Sequence, residues 1–223
     1  MSAADLARRA MYEAATLGWT SRALVLPAAR RVGHGVVVDG ATDLVVEGFA
    51  RSGNSLAVAA IAAVQPRSIR IAHHVHAPAH VLEAVRLRRP VLLVIREPAD
   101  AALALVESKP FLTLDAALRG WIRFHEPLVR VRKRIVVATF EQVHEDLASV
   151  VVRLNERFGT TLASLSEDDA EADPQAYFAE REGRGIPLIG RTTAGASRDR
   201  PARPSRTFLE RANELFERFR PVP

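Results

Sequence analysis

The chain of 223 residues contains no cysteine, which excludes disulfide bridges and thiolate metal sites and makes a reducing cytoplasm the simplest setting. Its longest apolar run, Leu56–Val64, is far shorter than the ~20 residues that a membrane-spanning helix requires. Residues 1–10 carry several charges and no apolar signal core, so export is not expected. These absences predict a cytoplasmic protein without a transmembrane segment.

Aromatic residues are also scarce. They make up 6% of the chain, whereas 31 basic residues, most of them arginine, leave a net charge of +5. A basic balance suits an anionic ligand, but nucleic acid is not the expected one, because no aromatic side chains interleave with the scattered arginines to stack bases. The alanine and arginine content is typical of a GC-rich bacterial genome. With 48% hydrophobic residues, the length fits one globular domain spanning residues 1–223.

Short apolar runs alternate with helical patterns in the first 165 residues. We predict strands at Leu44–Phe49, Ser68–Val75, Pro90–Ile95 and Arg134–Thr139. The helices that follow them are predicted at Asn54–Val64, Pro78–Arg88, Pro98–Glu107, Leu114–Arg130 and Gln142–Phe158. This alternation predicts an α/β fold with three α/β/α layers and a mainly parallel central sheet, similar to P-loop nucleotidases. In such sheets, ligands bind outside the carboxyl ends of the strands.

The two ends of the chain are predicted to add elements outside the alternating strands and helices. Residues 1–40 form a helical extension with one helix, Ala4–Leu17, packed on the sheet. The following segment, Trp19–Val32, is either a packed amphipathic start or a surface that touches an anionic partner. Near the other end, an acidic patch (Glu167–Asp173) precedes a long basic loop at residues 183–206, and a terminal helix spans residues 205–220.

One glycine-rich loop follows the first predicted strand. Its spacing, Gly48-x-x-x-x-Gly53-Asn54-Ser55, is that of a phosphate-binding loop with asparagine in place of the usual lysine. Backbone amides of such a loop and of the helix start point at one anion, and the helix dipole favours the same charge. Arg51 supplies a cation from within the loop. The sequence therefore predicts phosphate binding here.

The missing lysine argues against ATP hydrolysis. A P-loop kinase uses that lysine on the β- and γ-phosphates and holds Mg²⁺ on the next hydroxyl and an acidic residue. Here Asn54 replaces the lysine, and the later strands end at Arg96 and Thr139 rather than at an acidic residue. We therefore predict a phosphate site that binds no metal.

Four ordered segments of the region from Asp43 to Gly159 resemble the sulfotransferases that use 3′-phosphoadenosine 5′-phosphosulfate (PAPS). The first is the loop Phe49-Ala-Arg-Ser-Gly-Asn-Ser-Leu, which resembles that family's 5′-phosphosulfate loop. The second is His74-Val-His-Ala-Pro, and the third is Ile95-Arg-Glu-Pro-Ala-Asp. The fourth, Ala138-Thr-Phe-Glu-Gln-Val-His-Glu-Asp-Leu, resembles a strand-end segment of the family.

The resemblance implies a reaction and a set of roles. PAPS would be the co-substrate, and the acceptor would be a hydroxyl or amine of a small molecule, sugar or lipid. His76 would be the catalytic base, Arg51 would bind the phosphosulfate, and Arg96 would bind the 3′-phosphate. The implied nucleotide-binding residues are Arg51, Ser52, Gly53, Asn54, Ser55, Leu56, Arg96 and Phe140. The basic loop at residues 183–206 would fold over the nucleotide, as a C-terminal loop does in the family.

Other interpretations stay open. The chain could be a P-loop kinase of small molecules, or a non-catalytic nucleotide-binding protein of the same fold. His76, His80 and Glu83 have the spacing of a metal site on one helix face, but Pro78 favours a helix start after His76. If the second strand ran on to His76, alternation would place His74 and His76 on one side of the sheet. His125 and His144 lie on predicted helices and are expected to be solvated.

Overall fold

The fold is taken from a computed structural model, which describes residues 2–33, 35–163 and 203–220. The predicted acidic patch (Glu167–Asp173) and most of the predicted basic loop at residues 183–206 lie outside these ranges. The assignment of the whole chain to one domain therefore stays a prediction.

Four parallel strands of the described residues form the central sheet, as predicted. They are β1 (Leu44–Gly48), β2 (Ile71–His73), β3 (Val91–Ile95) and β4 (Val136–Thr139). Their order across the sheet is β2-β1-β3-β4, and all three neighbouring pairs are parallel. The carboxyl ends of the strands therefore meet along one edge of the sheet, where a ligand site is expected.

The helices of the described residues lie before, between and after the strands. They are α1 (Ala3–Leu17), α2 (Arg22–Val32), α3 (Asn54–Ala63), α4 (Pro78–Arg86), α5 (Pro98–Ser108), α6 (Leu114–His125), a 3₁₀-helix (Glu126–Arg134), α7 (Phe140–Glu145), α8 (Leu147–Phe158) and α9 (Arg206–Phe219). Several of them begin where the sequence provides a cap. Thr113 accepts a hydrogen bond from the third residue of α6, and proline stands in the first turn of α4 and α5. No helix in the described ranges is long and apolar enough to span a bilayer.

Alternate residues of the strands build two cores, one on each face of the sheet. Val45, Leu93 and Val137 point into the core that α4, α5, α6 and α9 cover. Val46, Leu92 and Ala138 point into the core beneath α3, α7 and α8. Because successive side chains of a strand point to opposite faces, both faces are buried, and the three-layer prediction is confirmed.

Three parts of the helical prediction differ from the structure. The expected helix Leu114–Arg130 ends at His125 and is followed by the 3₁₀-helix Glu126–Arg134. The expected helix Gln142–Phe158 is interrupted at Asp146, whose backbone leaves the helical region (φ −151°, ψ 49°) and whose side chain caps α8 by accepting from the Ser149 amide. The N-terminal extension holds two helices instead of one, since Gly18–Ser21 form a turn before α2. Helix α1 packs on α6, and α2 packs on α4. The expectation that the helix at Ala4–Leu17 packs directly on the sheet is therefore wrong.

His125 is fully buried, not solvated as predicted. Its ring stacks on Trp121, with 3.8 Å between the ring centroids, and Nδ1 donates a hydrogen bond to the Trp121 carbonyl (2.9 Å). The remaining nitrogen, Nε2, has no hydrogen-bond partner among the described residues. Burial in this aromatic environment lowers the pKa of His125 to about 3. The ring is therefore neutral in the folded protein at any pH near neutrality.

We expect His125 to make the protein sensitive to acid. The unfolded chain takes up a proton at this residue near pH 6.5, whereas the folded chain does not until about pH 3. The folded state therefore loses stability as the pH falls below about 6.5, by about 3 kcal/mol at about pH 4.5. Urea unfolding of the wild-type protein and of His125→Phe, each at about pH 6.5 and about pH 4.5, measures this loss of stability. An equal pH dependence in both proteins would show that His125 does not cause the loss.

Candidate anion-binding and catalytic site

The predicted phosphate loop lies at the carboxyl end of β1 and leads into α3. Its backbone turns sharply, because Arg51 (φ 73°) and Gly53 (φ 92°) both adopt left-handed conformations. Gly48 packs against β3 so closely that a Cβ atom there would lie 2.3 Å from the Val94 carbonyl oxygen. Among the described residues, no side chain caps the start of α3, so its first amides are available to an anion.

Several buried polar atoms of this loop have no hydrogen-bond partner in the described part of the chain. They are Nε of Arg51, Oγ of Ser52 and Oδ1 of Asn54. The Asn54 amide group does donate to the Gly48 carbonyl at 3.2 Å, which closes the loop on itself. Buried polar groups are normally satisfied, so three unsatisfied atoms in one loop indicate a place built for a polar ligand.

Two arginines meet at this loop. Arg96, the first residue after β3, donates from Nη1 to the Arg51 carbonyl oxygen at 3.1 Å. Burial, and then the nearby charge of Arg96, lower the pKa of Arg51. Neither guanidinium forms an ion pair with any residue of the described ranges. The charge of Glu107 acts against this shift of the Arg51 pKa without forming an ion pair. A half-buried pair of like charges with no ion-paired partner among the described residues is best explained by an anion that binds between them.

Phe140 forms one wall of the site at the start of α7. The Arg96 guanidinium lies over its ring, 4.3 Å from the centroid, and the ring also covers Gly53, where a Cβ atom would be 3.3 Å away. His144 stacks against Phe140 with 4.0 Å between centroids. Leu56, the other predicted wall residue, is half-buried and packs on the core beneath α3.

His76 is held beside the phosphate loop by a single hydrogen bond of its ring. Nδ1 lies 2.9 Å from the Gly48 carbonyl oxygen, which also accepts from Asn54. Because a carbonyl can only accept, Nδ1 carries the hydrogen and the neutral ring holds its lone pair on Nε2. The side chain is 23% exposed. His76 therefore presents a fixed, accessible proton acceptor next to the loop.

His74 is tied to the phosphate loop on the other side. Its Nε2 lies 2.9 Å from the Ser55 hydroxyl, and its Nδ1 lies 2.6 Å from Nδ1 of His73. Strand β2 ends at His73, because the backbone is left-handed at His74 (φ 59°) and again at His76 (φ 52°). The predicted strand alternation is therefore wrong beyond His73, although the rings of His74 and His76 do meet edge to face.

Glu47 anchors the segment that carries His76. Its carboxylate is fully buried at the end of β1 and accepts from the Val75 amide (2.7 Å) and the His76 amide (3.1 Å). Burial alone would raise the pKa of Glu47, but the hydrogen bonds from His80 and from the Val75 amide hold it below its usual value. The ionised carboxylate, 4.0 Å from Nδ1 of His76, lies where it can stabilise a positive imidazolium.

His80, on α4, completes this network. Its Nε2 accepts from the Val38 amide at 2.8 Å, so the hydrogen of the neutral ring is on Nδ1, which donates to Glu47 at 2.8 Å. The side chain is fully buried. Glu83 is turned away and pairs with Arg22 and Arg86.

The alternative metal site is therefore wrong. His76 lies outside α4, His80 uses both nitrogens within the core, and Glu83 faces arginines. Among the residues that the structure describes, no group of three or more histidine, aspartate or glutamate side chains is arranged to hold a metal ion.

A comparison with solved structures finds a similarity to mouse sulfotransferase SULT7A1 complexed with PAP, with 11% sequence identity and a TM-score of 0.44. The match covers 66% of this chain and 66% of that one, just under two thirds of its length. No protein-family model matches the sequence, and no curated protein does.

The structure thus brings most of the predicted site residues together and adds one that the sequence analysis missed. Arg51 through Ser55, His76, Arg96 and Phe140 lie around one loop, and Ser55 is linked to His74. The missed residue is Glu47. Its signal was a single charged residue inside the apolar run Leu44–Gly48, where a buried carboxylate requires several hydrogen-bond donors.

Proposed function

We propose that this protein transfers a sulfuryl group from PAPS to a hydroxyl or amine of an acceptor. The observation that carries the proposal is the position of His76. Its Nε2 lone pair is fixed by the Nδ1 hydrogen bond to Gly48, the residue that begins the anion-binding loop. A base held beside an anion site is the pairing that group transfer to a hydroxyl requires.

The leaving group would bind to the phosphate loop. The 5′-phosphate of PAPS would bind at the amino end of α3, whose start no side chain of the described residues caps, with Arg51 and the Ser52 hydroxyl as additional donors. In the reaction, the bond between sulfur and the bridging phosphate oxygen breaks, and that oxygen keeps the electron pair. The fixed guanidinium of Arg51 would stabilise the charge that develops there without needing to reorganise.

The acceptor would lose its proton to His76. A new bond forms between sulfur and the acceptor oxygen or nitrogen while Nε2 takes the proton of that atom and passes it to solvent. Glu47 would stabilise the imidazolium of His76 that results. Its carboxylate also accepts a hydrogen bond from the backbone amide of His76, which holds that residue in place. The products are the sulfated acceptor and 3′-phosphoadenosine 5′-phosphate.

A second phosphate would account for the second arginine. Arg96 lies against Arg51 and over Phe140, so it could bind the 3′-phosphate while the aromatic ring borders the nucleotide. A small-molecule kinase is less well supported. Asn54 is buried and its side-chain amide is committed to Gly48, so the position of the kinase lysine holds a neutral group.

Nucleotide binding tests the proposal directly. Calorimetry without Mg²⁺ should show 3′-phosphoadenosine 5′-phosphate binding about 10- to 100-fold more tightly than adenosine 5′-phosphate, because a charge-assisted contact contributes about 1.5–3 kcal/mol. Arg96→Ala should abolish this preference, and Arg51→Ala should lower the affinity for both nucleotides. Arg218→Ala, an exposed arginine on α9, is the matched control and should change neither. Equal affinity for the two nucleotides, or tight binding of ATP that requires Mg²⁺, would contradict the proposal.

A further inference from the structure

The outward face of α1 is apolar. Apart from Arg8, every exposed residue of this helix is alanine, leucine or methionine. The large ones are Leu6, Met11 and Leu17, and the last two are 72% and 69% exposed. A helix on the surface of a protein normally presents its polar residues to water, so this face is suited to a non-aqueous neighbour.

Three polar residues in the second half of α1, Tyr12, Glu13 and Thr16, point inward instead. Glu13 binds Arg119 and Arg123 of α6, and the Thr16 hydroxyl accepts from Arg123 at 2.6 Å. Tyr12 is largely buried, and its burial raises the pKa of its hydroxyl. These contacts fix the rotation of α1 about its own axis. The apolar side therefore cannot turn inward without breaking the ion pairs.

The next helix adds apolar groups and positive charge to the same end of the chain. Leu24 and Val32 of α2 are 67% and 74% exposed. Thus five of the seven exposed large hydrophobic residues in the described ranges lie on α1 and α2. The exposed residues of α2 also include Arg30 and Arg31, and the helix has no acidic residue. Arg22 is exposed as well, but it forms an ion pair with Glu83 of α4.

We propose that α1 and α2 form a docking surface for an anionic lipid membrane. Exposed leucine, methionine and valine side chains enter the boundary between headgroups and acyl chains, and arginines bind the lipid phosphates. A second copy of this chain fits less well, because a two-fold contact through this surface would bring the same arginines together. The proposal is independent of the proposed function, since it uses none of the residues of the phosphate loop.

Sedimentation with lipid vesicles tests this surface. The full-length protein should bind vesicles of equimolar phosphatidylcholine and phosphatidylglycerol, and should bind vesicles of phosphatidylcholine alone at least about tenfold more weakly. A double variant, Met11→Glu with Leu17→Glu, should lose binding to the anionic vesicles by about tenfold or more. Val152→Glu is the matched control, because Val152 is exposed on α8 on the other face of the sheet, and it should bind like the wild type.

Three results would overturn the proposal. The first is no binding to the anionic vesicles at low salt. The second is equal loss of binding in the double variant and in Val152→Glu. The third is a dimer in analytical ultracentrifugation without lipid that the double variant converts to monomer, which would assign the surface to self-association. Affinity for 3′-phosphoadenosine 5′-phosphate is measured on the same samples and should be unchanged, so that failure of this proposal is distinguished from failure of the proposed activity.

Discussion

Replacement of His76 by alanine should reduce sulfuryl transfer by roughly 10²-fold or more, because the proton of the acceptor then has no positioned base to receive it. Affinity for 3′-phosphoadenosine 5′-phosphate should stay within a few fold, since the ring contacts the loop only through the Gly48 carbonyl. A transfer assay with a panel of hydroxyl and amine acceptors measures the first quantity, and calorimetry measures the second.

His144→Ala is the matched control for His76→Ala. His144 is exposed and stacks on the opposite wall residue, Phe140, so its removal should leave most of the transfer rate. If His76 were only structural, His76→Ala would lower the melting temperature and every activity together. Full activity of His76→Ala would end the proposed mechanism, whereas loss of nucleotide binding in that variant would mean that the ring belongs to the anion site.

Loss of the Glu47 carboxylate should produce the largest change in stability. Glu47→Ala leaves the Val75 amide, the His76 amide and Nδ1 of His80 without their acceptor in a buried place. We expect the free energy of unfolding to fall by about 3–5 kcal/mol, as when one partner of a buried charged network is removed. Urea denaturation at neutral pH measures this difference, and Glu141→Ala, at an exposed position on α7, provides the control.

A conservative change separates the two roles of Glu47. Glu47→Gln has nearly the same shape and keeps one carbonyl oxygen, so it should lose less stability than Glu47→Ala. It cannot stabilise the imidazolium, so its kcat should fall while its affinity for 3′-phosphoadenosine 5′-phosphate is retained. If Glu47→Ala were as stable as Glu141→Ala, the carboxylate would not hold the segment that carries His76. If a well-folded Glu47→Gln kept the kcat of the wild type, the role of Glu47 would be structural only.

Much of the site could be predicted because its signals are local in the chain. The loop Gly48–Ser55 combines glycine spacing with a helix start, and both depend on a few consecutive residues. The position of Arg96 at the end of a buried run was equally visible, since the carboxyl ends of parallel strands share one edge of the sheet. The alternation of apolar runs and helical patterns was sufficient to predict the parallel sheet and the burial of both its faces.

The histidines show where this reasoning failed. His125 was expected near solvent because it lies on a predicted helix, and His80 was considered only as part of a possible metal site. Both are fully buried. Their environments come from residues that are distant in sequence: His80 binds Glu47 and Val38, which are 33 and 42 residues away, and His125 contacts Phe219 of α9.

The sequence by itself determined the strand and helix pattern, the phosphate loop and the residues that could carry the chemistry, because these depend on local backbone preferences and on the period of apolar residues. Only the tertiary structure decided which ring nitrogen of His76 carries the hydrogen and which carboxylate holds its segment. It also decided that Arg51 and Arg96 meet at one site without an ion-paired partner among the described residues. Each of these depends on contacts between residues 28 to 45 positions apart. Such contacts form only when parallel strands place the ends of separate segments side by side.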